Sequence, residues 1–506
     1  MLILNSEKNK YSNDKFFFGG NIIVENNQWD SPLSFVFAMI GAAVGLGNIW
    51  RYSYVLYSNG GGAFFIPYLV AIGLMGIPFL ILEYGIGFSF KDSFTNIFKK
   101  VNPKLEILSW MLVLFVFIIV VYYMVILSWD FVYLFSSIDF SWGSDTALYF
   151  EKVGGTSDLS TMTTFILPTL LGVLILWFIV WCISHKDLSS GIGNASKVLI
   201  PILFIIMAII IIYSISLPGS GIGINALLNP KWEALININI WLAAFSQVLF
   251  SLSMGQAIAL SYASYLPKGS RLSDSVFIVV ASNSLFEVFT AFGVFSVLGY
   301  MSSTSGVPIV NLIKEGTGLI FVVFPTIFNI MGPIAHIFAP VFFLAILFAG
   351  LTSVFGIMEP MVNSTMHKFN WTRKKAVTVL SIVGCLSSIL FTTGISSYLL
   401  GIVDGFINNF CLIFFIAVQC VVFTWLIDID EIMNVINENS GFKVGKMWKT
   451  IVKYILPIFL FVMWVAGVIG LYFNKDPFKL TVYGIILVVV LACSLMFSRI
   501  KSGSNG

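Results

Sequence analysis

The sequence predicts an all-α membrane protein of about twelve transmembrane helices, and three observations carry that prediction. Hydrophobic residues make up 58% of the chain and charged residues only 10%, against roughly 25% charged in soluble domains. Apolar runs of about twenty residues or more, the length that crosses a bilayer, recur from end to end. Lysine and arginine concentrate in alternate connecting segments, as cytoplasmic loops require.

Taken in order, the runs fall at about 31–57, 62–89, 106–136, 162–184, 191–216, 237–265, 274–301, 333–365, 374–394, 397–427, 450–473 and 479–500. Gly318 to Phe328 (GLIFVVFPTIF) is too short to span and carries Pro325, so it predicts part of an extracellular lid, about 302–332. With the N-terminus inside, 21 of the 27 basic residues lie on the inner side, 5 lie outside, and Arg51 remains within the membrane. Both termini are then expected in the cytoplasm of a plasma-membrane protein. Segment 1–28 is polar and lacks an apolar core, so no cleavable signal is expected and the first span can direct insertion.

Composition also bounds the function. The net charge of +3 resides in the inner loops and calls for no nucleic acid; membrane lipid and a small solute are the expected partners. Cys182, Cys385, Cys411, Cys420 and Cys493 all sit in apolar spans without a CxxC pair, and are expected as buried small hydrophobes. His185, His336 and His367 lack metal-ligand spacing. There is no nucleophile–base pair, phosphate loop or ATP-binding domain, so an enzyme is not indicated. Charged rings of the channel type are absent, which favours a carrier over a pore.

The stretch from Trp29 to Pro67 is the most informative. Its middle, Gly41 to Asn48, reads GAAVGLGN, and three glycines weaken a helix at bilayer depth. Unwound backbone in hydrocarbon is tolerated only where it lines a cavity or is buried in protein. A flexible kink with close helix packing would explain the glycines alone. Asn48 and Arg51 point further, because intramembrane polar groups are costly and mark function. A second interrupted segment, Phe250 to Gln256 (FSLSMGQ), lies in the sixth run. Paired interrupted helices in two halves of a chain mark a transporter's central site.

The run GAAVGLGNIWR, followed by NGGGAFFIPY at Asn59 to Tyr68, resembles the neurotransmitter:sodium symporter family, in its prokaryotic branch that includes the bacterial leucine transporter. Later segments match in order: Tyr122–Tyr123, QVLFSLSMG at Gln247 to Gly255, YASY at Tyr262 to Tyr265, and FAGLTS at Phe348 to Ser353. The resemblance covers roughly residues 29 to 500. It implies two inverted five-helix repeats, spans 1–5 over 29–216 and spans 6–10 over 237–427, with helices 1 and 6 discontinuous. Spans 11 and 12, 450–500, lie outside the repeats.

The same resemblance implies two sodium sites, the only cofactors expected. The first would use the Ala43 carbonyl, Asn48, Ser251 and Asn283 with the substrate carboxylate, a shared ligand that couples the two bindings. The second would use the carbonyls of Gly41, Val44 and Ala349 with the hydroxyls of Thr352 and Ser353. For a lone serine or threonine, a bond to the local backbone is the ordinary alternative. The substrate carboxylate would meet the amides near Leu46 and Gly47 and the Tyr123 hydroxyl. Its ammonium would meet carbonyls near Ala43 and Phe250, and its side chain would face Ile119, Tyr123, Phe250, Ser253, Gln256, Ser353 and Ile357. Ser251 belongs to the expected substrate set as well as to the first sodium site. Packing is the alternative for each aromatic. Tyr123 and Phe250 would close over the substrate beneath an outer gate of Arg51 and Asp404. Gly191 and Pro201 would unwind the fifth span to admit cytoplasmic water, though a simple kink fits them equally.

Some positions depart from the family pattern or lack a role. The inner-gate ion pair of the leucine transporter falls on Asn26 and His367, which cannot form it, and Gly193 replaces an expected acid. Trp29 and Asp30 are candidate substitutes for that closure. Glu83 and Glu359 are intramembrane acids expected to make structural hydrogen bonds. Gln256 stands where the leucine transporter has phenylalanine, so either it bonds a neighbouring helix or the pocket accepts a bulky or polar neutral substrate. Glu287 lies four residues after Asn283, on the same helix face, where chloride-dependent members have a neutral residue. Ionised, it would replace chloride; protonated after sodium leaves, it would carry a proton back; permanently protonated, it would be structural. The expectation is a sodium-coupled symporter for a neutral amino acid, chloride-independent and with proton counter-transport in view. The alternatives are a carrier of another zwitterion or amine, such as a betaine or biogenic amine, or a non-cycling sensor on the same fold.

Overall fold

The structure, a computed structural model, describes residues 28–314, 316–473 and 476–501. Among these residues the regular structure is helical, with a single isolated antiparallel bridge between Phe165 and Thr393. The first span is a bent pair, α1 (Pro32–Ala43) and α2 (Leu46–Ser58), meeting at 52°. Then come α3 (Gly61–Phe90), α4 (Pro103–Ser136), α5 (Leu167–Ser184) and α6 (Ser189–Ser216). The sixth span is divided into α7 (Ile238–Ser251) and α8 (Ile258–Ser264). After α9 (Leu272–Ser305), the short lid helix α10 (Leu319–Ile330) precedes α11 (Ala335–Phe369) and α12 (Arg373–Ile389). The chain closes with α13 (Ser396–Leu426), α14 (Lys446–Gly470) and α15 (Pro477–Arg499).

Nine of these helices are individually long and apolar enough to span, and the bent pair makes a tenth. The other two expected spans fall short for physical reasons: the sixth is interrupted, and α12 has only 17 residues. Twelve spans are consistent with the observed helices. The order of burial locates the core. In α4 and α11, 78% and 83% of the apolar stretch is covered by protein, against 11% in α15. α4 and α11 pack most extensively on each other, and α11 also carries α1 and α6. α15 lies on the outside of α4 and presents its apolar side chains outward.

Local chemistry sets the helix ends. Ser31 caps α1 by accepting the Ser34 amide at 3.2 Å, with Pro32 in the first turn where its missing N–H costs nothing. α11 ends at Asn370 in the left-handed region (φ 51°), a conformation asparagine tolerates. The fifth span does not unwind at Gly191: Ser189–Gly193 forms a π-helical turn continuous with the rest of α6, through Pro201. A wide turn keeps the backbone hydrogen-bonded where full unwinding would not. The lid begins later than expected, because α9 continues to Ser305 before Gly306 caps it. Its α10 is anchored on α4, where the Tyr133 hydroxyl donates to the Phe321 carbonyl at 2.8 Å.

The helix ends on the side away from the lid are tied by buried ion pairs. Arg373, one of the basic residues counted on the expected inner side, is only 4% exposed and grips Glu359 bidentately at 2.7 and 2.8 Å. Tyr265 donates to the same carboxylate at 2.9 Å, so Glu359 is the structural acid expected of it. Cutting one partner of such a pair leaves an uncompensated charge, at about 3–5 kcal/mol. Arg373→Ala should therefore lower the melting temperature of the detergent-solubilised protein, while the double change Arg373→Met with Glu359→Met should recover most of the loss. Equal melting of Arg373→Ala and wild type would show that the pair contributes nothing.

Candidate functional site

The two broken helices build the site. The first break is narrower than the eight residues of Gly41 to Asn48: only Val44 and Gly45 leave the helix, with Gly45 fully extended (φ −129°, ψ −166°). The helix restarts at once with Gly45 as its N-cap residue, and the Asn48 side-chain oxygen reaches back from the third helical position to accept the Gly45 amide at 2.8 Å, as the N3 residue of a capping box does. The second break, 252–257, is longer and holds Ser253, Gly255 and Ala257 at φ 49°, 71° and 59°. There Gly255 is required twice, since its φ is left-handed and a Cβ would meet the Ile416 side chain at 2.0 Å. The breaks are joined by Ser253 Oγ donating to the Ala42 carbonyl at 3.1 Å. Gln419 in α13 donates to the Gly255 carbonyl at 2.8 Å.

Carbonyls freed by the first break meet hydroxyls from α11. Ser353 Oγ lies 3.1 Å from the Gly41 oxygen, 3.2 Å from that of Val44 and 3.1 Å from that of Ala349. Thr352 Oγ1 lies 3.0 Å from the Ala349 oxygen. All five residues expected for the second sodium site are thus in one oxygen cluster, the donor set a small hard cation takes. The first-site side chains also converge. Asn48 Nδ2 donates to Asn283 Oδ1 at 2.8 Å, and Asn283 Nδ2 donates to Ser251 Oγ at 3.0 Å. Ala43, whose carbonyl was expected there, ends α1 on the cavity wall.

Beside both clusters is a cavity of about 340 Å³. Ala43, Leu46, Gly47, Ile119, Tyr123, Phe250, Ser253, Gln256, Ser353 and Ile357 line it; of the expected substrate residues only Ser251 stands behind the wall. The Leu46 amide donates to the Tyr123 hydroxyl at 3.3 Å, so the two groups expected at a carboxylate share one spot. A Cβ on Gly47 would meet the Phe250 ring at 2.2 Å, which makes glycine obligatory for the ring to sit here. Gln256 Oε1 is buried and makes no hydrogen bond among the described residues, and the bond to a neighbouring helix is not formed.

The cavity runs outward to Gly316 and Thr317 at the lid. On the way it passes Arg51, whose guanidinium lies 4.5 Å from the Phe250 ring centre and donates to Ser246 at 3.0 Å. Opposite, Asp404 accepts from Tyr122 and from Asn408, each at 2.7 Å. Inward, the site is sealed: the Trp29 indole donates to the Tyr262 carbonyl at 2.9 Å and its amide to that of Tyr265 at 3.2 Å. Asp30 pairs with Lys197 at 2.9 Å. Hydrogen bonds from Ser34 and Ser189 and the Lys197 ammonium hold its pKa below the usual carboxylate range against partial desolvation. His367 Nδ1 meets Asp92 at 2.9 Å, and Lys100 meets the other Asp92 oxygen at 2.6 Å. Burial acts to raise the Asp92 pKa, but these two partners outweigh it and leave it lowered. Asn26 lies outside the described residues.

Glu287 is fully buried behind the first cluster. It accepts from Gln247 Nε2 at 2.8 Å and from the Tyr68 hydroxyl, which also reaches Ser284 at 3.1 Å. Glu83 lies toward the backbone of Gly255 and Ala257 in the second break, without meeting hydrogen-bond geometry. Tyr68, Gln247 and Tyr122 each fall inside a matched motif, but only the folded contacts disclose their partners. Asn408 and Asp92 carry no sequence signal.

The comparisons with known proteins accord with this geometry. The Sodium:neurotransmitter symporter family matches residues 26–166 and 146–500. An uncharacterised sodium-dependent transporter of Methanocaldococcus jannaschii, MJ1319, is 38% identical over 442 residues, covering 86% of this chain and 89% of its own. The sodium-dependent serotonin transporter of Drosophila melanogaster is 27% identical, covering 87% of this chain and 76% of its own. The crystal structure of MhsT in complex with L-phenylalanine superposes with a TM-score of 0.74 at 29% identity, covering 87% of this chain and 99% of MhsT. Broken helices, oxygen clusters and sequence similarity agree: the chain belongs to the sodium:neurotransmitter symporter family, whose members are sodium-dependent multi-pass membrane transporters and not enzymes.

Proposed function

We propose that this protein imports a neutral amino acid across the plasma membrane by coupling it to two sodium ions. The carrying observation is the oxygen cluster of Gly41, Val44, Ala349, Thr352 and Ser353 beside a cavity bounded by Leu46, Tyr123 and Phe250. The ions supply positive charge that offsets the substrate carboxylate. Ala43, Asn48, Ser251 and Asn283 hold the first ion and the five-residue cluster the second. The start of α2, with its partial positive charge, faces the carboxylate at Leu46, Gly47 and Tyr123. Binding of L-phenylalanine by MhsT supports an amino acid as the solute. Repeats 29–216 and 237–427 would rock about this site, with both termini cytoplasmic. Arg51 and Asp404 would close the outer side with Phe250 and Tyr123. Similarity to a serotonin transporter favours an amine as the second reading. Sodium-gradient-driven uptake into proteoliposomes, with amino acids, betaines and biogenic amines as competing solutes, tests the proposal; absence of sodium-driven uptake of any solute would overturn it.

Removing a cation ligand loses about 1.5–3 kcal/mol, or roughly ten- to a hundredfold in affinity. Asn48→Ala and Thr352→Ala should each raise the sodium concentration for half-maximal uptake by that factor. Uptake at limiting sodium that neither change alters would refute the assignment.

An unpaired buried amide costs about 1–3 kcal/mol, so Gln256 selects a substrate that satisfies it or is bulky, such as glutamine or tryptophan. Gln256→Phe should move the substrate ranking toward aliphatic residues, as measured by competition against labelled uptake. An unmoved ranking would place Gln256 outside recognition.

Glu287 supplies negative charge beside the first ion, so uptake should persist when gluconate replaces chloride. Glu287→Ser, which leaves Tyr68, Gln247 and Ser284 around a neutral hole, should make uptake chloride-dependent. Collapse of wild-type uptake without chloride would refute this role, and with it the proton counter-transport that Glu287 would carry.

A further inference from the structure

The transport reading leaves two buried acids unused, Glu83 beside the second break and Asp130 on α4, and Asp130 is the one at the level of the lid. Asp130 on α4 is 0% exposed, and neither carboxylate oxygen has a hydrogen-bond partner among the described residues. Helical spacing puts it on the stripe of Ile119, Tyr123 and Ile126, all three of which line the cavity. Seven residues beyond Tyr123 is two turns, about 10 Å outward. At that level the lid covers α4: Trp129 meets the Phe321 ring at 6.1 Å between centres, and Tyr133 holds the Phe321 carbonyl. Asp130 therefore lies on α4 at the level of the seated lid, next in the chain to Trp129 of the cavity wall.

An ionised carboxylate without a partner is costly in a dry protein interior, and within a membrane helix such a group marks function. The surroundings supply no countercharge. On its own stripe the titratable neighbours are the phenols of Tyr123 and Tyr133. α11 carries no titratable residue between His336 and Glu359, the lid helix carries none, and α5 carries only Cys182 near its inner end. The short helix Thr146–Gly154 brings Tyr149 against Tyr133, with Glu151 and Lys152 turned to solvent. α12 offers only Cys385 within its apolar length, and on α13 Asp404 is engaged by Tyr122 and Asn408. α15, on the outer side of α4, carries Lys479, Tyr483, Cys493 and Arg499.

We propose that Asp130 is a proton-binding site that couples seating of the extracellular lid to uptake of one proton from outside. The carboxylate takes a proton from extracellular hydronium, leaving water, as the lid settles, and returns it when the lid lifts and water re-enters. The lid-closed state then holds one more proton than the open state, so raising external pH disfavours closure. No net proton crosses the membrane in this step, which separates it from counter-transport through Glu287.

The kinetic test rests on the sodium-coupled reading above. Initial uptake into proteoliposomes with clamped internal pH should fall as external pH rises, approaching about tenfold per pH unit for a one-proton step. Asp130→Asn and Asp130→Ala should both flatten that profile while keeping sodium-dependent substrate binding by thermal shift. An infrared difference spectrum of the wild-type protein between low and high pH should contain the carbonyl band of a protonated carboxylic acid that both variants lack. A profile shared by wild type and variants, a pH-independent wild type included, overturns the proposal. So does an Asp130 band that is missing or that does not change with pH. If the wild type shows no sodium-driven uptake, the transport reading fails on its own and the infrared comparison still decides the role of Asp130.

Discussion

Hydrocarbon offers no hydrogen bonds, so every interruption of a membrane helix must be satisfied by protein or by what the protein binds. In this molecule two interruptions lie side by side, and the rest of the fold serves to keep them there. Asn48 caps the restart of α2, Ser353 gathers the carbonyls of Gly41 and Val44, and Ser253 and Gln419 tie down the longer break. Those donors can be held in place because α4 and α11 are covered along most of their length. Peripheral helices such as α15 add area without touching the breaks.

The polar groups form layers along the helix bundle, from the lid to the opposite end. At the outer level the cavity opens past Arg51 and Asp404 toward the lid, with partners from Tyr122, Asn408 and Ser246. At the central level the groups are neutral oxygens and amides, with two buried acids behind them: Glu287, held by Tyr68 and Gln247, and Glu83 beside the second break. At the inner level full charges return as closed pairs: Arg373 with Glu359, Lys368 with Glu106, and Asp92 with His367 and Lys100. On the side away from the lid, Trp29 holds the carbonyls of Tyr262 and Tyr265, and Asp30 holds Lys197. The exposed Asp30 pair is screened by water and weak, whereas the Arg373 pair is dry, which makes the N-terminal half-helix the easier element to move.

Sequence reading located the spans, both breaks and the side chains around them, because bilayer length, glycine runs and intramembrane polar residues are local signals. Ten of the eleven expected substrate residues line one cavity, since the family motifs fix helix faces as well as positions. It left the length of the first break open, because a glycine run shows where a helix is weak and not where a cap restores it. At Gly191 it left unwinding and a simple kink equally open, and the structure has a π-turn that preserves the hydrogen bonds. What closes the inner side was open beyond the names Trp29 and Asp30, as Lys197 lies more than 160 residues along the chain from Asp30.

The sequence by itself determined that this is a helical membrane protein and which two segments are broken, because hydrophobic length, periodicity and backbone propensity are properties of neighbouring residues. Its family follows from motifs of the same local kind. Only the tertiary structure decided which acids have partners: Glu359 receives Arg373, Glu287 receives Tyr68 and Gln247, and Asp130 receives no hydrogen bond. All three are single acids in apolar runs and look alike along the chain. The cost of a buried charge depends on donors brought in by other helices, and those donors are set by packing.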